Sequence, residues 1–299
     1  MAVRAEGETA TRLSTSSPMQ GALGYLRRNP PLAFGLGLIL ILLLFSVVGR
    51  LVVNVEDASP LSAPPFKAPS AEYPFGTDKV GRDLLAVMIV GTPLTLRVGL
   101  LAGILGVAFA SLLAFAGAYY GGIIDAVIRL VVDVGLTIPS ILILILIAIA
   151  LRGVNPTEMS LIVAATAWLW PTRTIRSQVL SLKERAYVDV ARMSGMRGYE
   201  IIVRELMPNL IPFIVANLVN TTASAILATI GMEALGLGPT SHPTLGMTIY
   251  WVILHAGVLG GYWWWWLAPV VIIVLIFIAL YLTSIGMDEL ANPRLRRSV

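Results

Sequence analysis

Side chains able to make or break bonds are scarce in this sequence, and their spacing excludes most chemistry. No cysteine occurs, which removes thiolate nucleophiles, disulfides and cysteine metal ligands. The two histidines, His242 and His255, lack a second-ligand spacing, so no metal site is expected. There is no Gly-x-Ser-x-Gly elbow for Ser-His-Asp hydrolysis. Lys67, Lys79 and Lys183 all stand outside any Gly-x-x-x-x-Gly-Lys-Ser/Thr frame, so the chain cannot itself hydrolyse ATP and is expected to bind no cofactor. Charge collects instead in "DVARMSGMRGYEIIVRELMPNLIP", residues 189–212, through Asp189, Arg192, Arg197, Glu200, Arg204 and Glu205. A second group, Asp125, Arg129 and Asp133, recurs every four residues on one helical stripe, where opposite charges satisfy one another; a structural ion-pair network is the favoured reading. A third, Asn217, Asn220, Thr221 and Ser224, marks one face of an apolar helix, either lining a path or hydrogen-bonding across helices.

The elements that position these groups belong to a membrane. Of 299 residues, 57% are hydrophobic and 13% charged, against about 25% charged in soluble domains. The +4 net charge is explained by topology rather than by nucleic acid. Residues 1–20 are polar and read as a tail without the apolar core of a signal peptide. The first helix follows "RRNPP", from Leu32 to Gly49. A loop rich in Pro, Ser and Ala comes next. A second helix is uncharged from Val98 to Tyr119, and a third runs from about Ile124 to Leu151. The fourth, about Met159 to Thr172, is short for a span; the fifth covers Leu206 to Met232 and starts near Pro212. Residues 247–261 are expected not to span. The sixth helix, from Trp266 to Gly286, follows "GYWWWW", an aromatic cluster suited to the headgroup level rather than to stacking on sugars.

Six spans place both termini on one side. Basic residues crowd the N-tail (Arg4, Arg12, Arg27, Arg28), the segment 171–207 and the C-tail, while the loop between the last two spans has none, so the first three are expected in the cytoplasm. The boundaries are then a tail at 1–31, a first helix at 32–53, an external loop at 54–92, a core at 93–287 and a tail at 288–299.

The charged stretch thus lies in a cytoplasmic loop, 173–208. Val179, Leu182, Ala186, Val190 and Met193 recur at helical spacing, Gly195 follows where a helix end needs positive φ, and a second short helix is expected from Tyr199 to before Pro208. Such a loop either plugs into another protein or lies on anionic lipid. The residue order resembles the loop of ABC-importer permeases, Glu-Ala-Ala, three residues, Gly, nine residues, Ile-x-Leu-Pro: Asp189, Val190, Ala191 and Gly195 hold their intervals, and "ELMP" ends in Pro208. "YPFGTDKVGRDLL" (73–85), "MEALGLGPTSHPTLG" (232–246) and "ANPRLR" (291–296) resemble three further boxes of the dipeptide and oligopeptide branch. Thr92, Leu245 and Asn292 depart from it, standing where arginine, tryptophan and aspartate are usual.

The resemblance, over roughly residues 20–297, implies an all-α transmembrane fold of the six-helix type I importer permease with a cytoplasmic coupling helix, in the plasma (inner) membrane. It implies as partners a second homologous permease, two ATPases that bind ATP and Mg, and an extracytoplasmic solute-binding protein. Ala186, Ala191 and Met193 would fill an ATPase groove around the Gly195 elbow, with Asp189 and Pro208 in the docking set and Arg192, Arg197 and Arg204 pairing at the rim. Gly76, Thr77, Asp78, Gly81, Arg82 and Asp83 would shape the external face. Di- and oligopeptides are the expected solutes, ahead of oligosaccharides or nickel chelates. A stand-alone secondary transporter would need midplane ion sites, and an intramembrane enzyme a catalytic constellation; neither is found.

Overall fold

The computed structural model describes residues 24–291 except 152. Residues 1–23 and the tail motif with Asn292 lie outside them.

Eleven α-helices are described, with no strand among these residues. Helix α1 (Pro30–Val52) is started by prolines in its first turn and by Asn29, whose side chain accepts from the Leu32 N–H. Helix α2 (Leu84–Tyr120) has 37 residues, about 55 Å of rod. Helices α3 (Gly122–Thr137) and α4 (Ser140–Leu151) meet at an 86° bend. The expected unbroken third span is therefore corrected: Pro139 holds Ile138 extended and has no N–H to continue the ladder. Helices α5 (Pro156–Ala167) and α6 (Leu169–Lys183) are separated at Trp168, so the expected fourth span is a 12-residue helix, shorter than a bilayer needs.

Helices α7 (Ala186–Met193) and α8 (Gly198–Ile201) form the charged loop. A π-turn at Ile202–Leu206 then carries α8 without a break into α9 (Met207–Ala234), and the expected helix end before Pro208 and start near Pro212 are both corrected. Pro208 stands in the first turn of α9, where its missing N–H costs nothing. Helix α10 (Leu245–Leu254) is short, as expected, and α11 (Trp263–Ala291) closes the bundle. Four helical stretches among the described residues are long and apolar enough to cross a membrane, or five if α3 and α4 count as one. The count of six is not reached.

The bundle closes through small residues, as it must where lipid supplies no hydrophobic drive between helices. A Cβ on Gly35 of α1 would stand 2.5 Å from Thr283 Oγ1 of α11. Along α2, Gly99 and Gly103 face Ile226 and Thr222 of α9, and Gly106 faces Ala167 of α5. Outward-facing Phe34, Leu51, Leu112, Ile123 and Leu146 are exposed, a surface suited to acyl chains. The two ends of α2 define the poles of the molecule: Asp83 caps its start inside a folded loop, and Tyr119 and Tyr120 end it against the charged loop.

Candidate functional site: a docking loop, a polar cleft and a folded cap

Helix α7 is bound to the bundle by its apolar face. Val188 and Ala191, with Ile201 and Leu206, share a buried cluster with Ala114, Phe115 and Ala118 of α2 and Ile175 and Val179 of α6. Lys183 Nζ donates to the Ala118 carbonyl at 3.2 Å, and Arg192 lies over the Tyr119 ring at 6.0 Å. Among the residues that the resemblance assigned to an ATPase groove, Ala191 is therefore corrected: it is buried against the bundle rather than presented outward. The free face carries Tyr187, Val190 and Met193, the last two 58% and 81% exposed, beside exposed Ala186. Spacing alone placed the helix but not its rotation, because both faces of α7 carry apolar residues.

Gly195 has φ +81° with nothing within 4 Å of a Cβ, so backbone conformation rather than crowding demands glycine. The Met196 N–H returns to the Ala191 carbonyl at 3.2 Å, closing the elbow. Asp189 and Arg192 form an exposed pair at 3.1 Å, Arg197 and Arg204 are exposed, and Glu200 accepts from the Arg197 N–H at 2.8 Å.

In midbundle, Asn217, Asn220, Thr221 and Ser224 line one cleft of about 290 Å³, with Ser140, Thr166 and Trp170 across it. Two of the four also bind helices together. Thr174 donates to Asn217 Oδ1 at 2.9 Å, and Ser284 donates to Asn220 Oδ1 at 2.7 Å. The stripe on α3 pairs differently from expectation: Asp125 takes both Nε and Nη2 of Arg176, each at 2.6 Å, instead of Arg129. The planar fork of Arg176 reaches across from α6 and presents both oxygens with a donor, which an i,i+4 neighbour on the same helix does not. Sequence spacing within α3 had no means of finding a partner fifty-one residues away.

At the other pole, the box at 76–83 folds inward. Asp78 is fully buried; its Oδ1 accepts from the Val80 and Arg82 N–H groups, each at 2.9 Å, and its Oδ2 from Arg82 Nε at 2.6 Å. Thr77 donates to the Pro64 carbonyl at 2.6 Å, and Trp264 Nε1 donates to the Thr77 carbonyl at 3.2 Å. Gly76 and Gly81 adopt φ of +74° and +72°, and a Cβ on Gly76 would stand 2.6 Å from Trp264 Cδ1. Asp83 accepts from the Leu85 N–H at 2.7 Å as the cap of α2; burial pushes its carboxyl above its usual range, while that N–H pulls it down. The box is thus a clasp that shapes this face from within.

Glu233, at the end of α9, is the residue that sequence reading passed over. It is fully buried; Oε2 accepts from Thr244 Oγ at 2.8 Å, and Oε1 has no partner. A Cβ on Gly238 would stand 2.5 Å from Glu233 Cγ, and Gly246 approaches Oε2 closely. The glycines of "MEALGLGPTSHPTLG" therefore let the loop wrap this carboxyl. A lone acid ending a charge-free run from Leu206 was the signal available.

A family model described as the binding-protein-dependent transport system inner membrane component matches residues 106–297. The chain belongs to that family. The match takes in the docking loop, the cleft and Glu233 of this inner membrane component, but not the cap. Relatives extend the likeness. The dipeptide transport system permease protein DppC of Alkalihalophilus pseudofirmus is 32% identical over 224 residues, covering 74% of this chain and 73% of its own length. Its namesake from Bacillus subtilis is 28% identical over 295 residues, covering 98% and 90%. The oligopeptide transport system permease protein OppC of Mycobacterium bovis is 30% identical over 174 residues, covering 58% and 60%.

Proposed function

We propose that this membrane component is one of two homologous permease subunits of an ATP-driven importer of di- and oligopeptides. One observation carries the proposal: a helical elbow rooted in the bundle by Val188, Ala191 and Ile201 offers a free apolar face of Tyr187, Val190 and Met193 at one pole. A loop that only fixed topology would need neither the root nor that face. Two separate ATPases, which bind ATP and Mg, grip the face and move the bundle. A second permease closes the open side of the Asn217–Ser224 cleft, and an extracytoplasmic binding protein delivers solute to the capped pole. The excess of Lys and Arg on the 171–207 segment supports a cytoplasmic loop and cytoplasmic termini. Peptide is the solute because the relatives named above carry that description along most of their length.

Purification from the native membrane in mild detergent, followed by mass spectrometry, tests the assembly. Recovery of P-loop ATPases and a second permease supports it, and ligand stripped from a co-purifying binding protein names the solute. A chain that purifies alone and transports in liposomes without ATP overturns it.

A further inference from the structure

Next to the cleft along α3 and α6, on the side of the docking loop, lies a smaller chamber of about 160 Å³, lined by Ile128, Arg129, Val132 and Asp133 of α3 and by Thr172, Arg173 and Arg176 of α6. The two spaces adjoin along both helices: Leu136 and Pro171 line the upper one, Asp133 and Thr172 the lower. Their chemistry differs. The upper cleft presents Asn, Thr and Ser without charge, and the lower adds Arg129, Asp133, Arg173 and Arg176 to Ile128, Val132 and Thr172. Arg176 is spent on Asp125, both oxygens engaged. Arg129 and Arg173 are exposed to the chamber with no carboxylate within 4 Å among the described residues, and Asp133 is equally unpaired.

Two uncommitted guanidiniums and one uncommitted carboxylate give the chamber an excess of positive charge. Guanidinium offers a planar fork that fits a carboxylate through paired N–H donors. Resting on the importer reading above, we propose that this chamber is a carboxylate-receiving subsite at the inner end of the transport path. Arg129 and Arg173 take an anionic side chain of the passing solute, and Asp133 takes a cationic one. The Asp125–Arg176 pair holds α3 and α6 at the separation the subsite needs.

The test uses the complete importer in liposomes with its binding protein and internal ATP. Peptides of one length with an acidic, a neutral or a basic side chain are taken up in competition, each rate divided by the wild-type rate. R129Q/R173Q lowers the acidic peptide about tenfold relative to the basic one, the loss expected when charged hydrogen bonds disappear. D133N shifts the order the other way, and R129K/R173K, which keeps the charge but not the fork, restores it only in part. Three peptides falling together, no change at all, or a loss that follows the anionic lipid content rather than the peptide overturns the subsite. A wild-type importer that takes up none of the peptides overturns the peptide reading and the subsite with it.

Discussion

At Gly195 a substituent meets its own backbone and no neighbour. Alanine held at φ +81° costs about 1–2 kcal/mol, and valine more. Asparagine, which tolerates that region, is expected to keep most activity. ATP-driven uptake at equal membrane abundance should therefore rank Gly above Asn above Ala above Val; a flat series would remove the elbow from the mechanism. Glu233 makes the opposite case, where surroundings decide. Glu233→Ala leaves the Thr244 hydroxyl buried without its acceptor, at a cost of about 1–3 kcal/mol, whereas Glu233→Gln keeps an acceptor in place. Thermal unfolding in detergent should show a clear loss for alanine and a smaller one for glutamine. The glycine was legible because positive φ after a helix is a local property. The glutamate was not, because its burial depends on a loop returning from Gly238 and Gly246.

Among the elements, the long apolar runs of α1, α2, α9 and α11 were readable because uncharged length is itself the signal for a span. Breaks within such runs were harder. Pro139 sits inside a run that composition reads as continuous, and only its restriction of Ile138 turns the chain through 86°. Rotation of α7 was likewise hidden, since burial of Val188 rather than Val190 depends on how Ile175 and Phe115 meet it. The tie between α3 and α6 gives this scale its prediction. Asp125 and Arg176 should show a coupling of about 1 kcal/mol or more in a double-mutant cycle of thermal stability, while Arg129 with Asp125 should show little.

For the whole molecule, the cap is fastened to the hairpin of α10 and α11 by groups that respond to pH. Lys79 Nζ lies 3.1 Å from His255 Nδ1, and the imidazole stacks near Trp251 and Trp265 at 5.8 and 6.3 Å. Burial, then the Lys79 charge, pulls His255 below its ordinary 6.5. In the window just below 6.5 the opened state binds the proton more readily, so the fastening is complete above that pH and weakens as pH falls through the window. Protection factors of residues 76–83, with the exchange rate at each pH divided into its intrinsic base-catalysed rate, should be lower at about pH 5.5 than at about pH 7.5, and His255→Gln should erase the difference.

Helix α2 begins inside that cap, with Asp83 as its first hydrogen-bond acceptor, and ends on the tyrosines that the docking loop packs against. The two poles are thus joined by one helix of 37 residues, with Pro93 as the proline inside it. A pull on the loop needs no relay of side chains to be felt at the opposite surface. Spin labels placed only on the cap and the α10–α11 hairpin should therefore register ATP binding that happens a bilayer away.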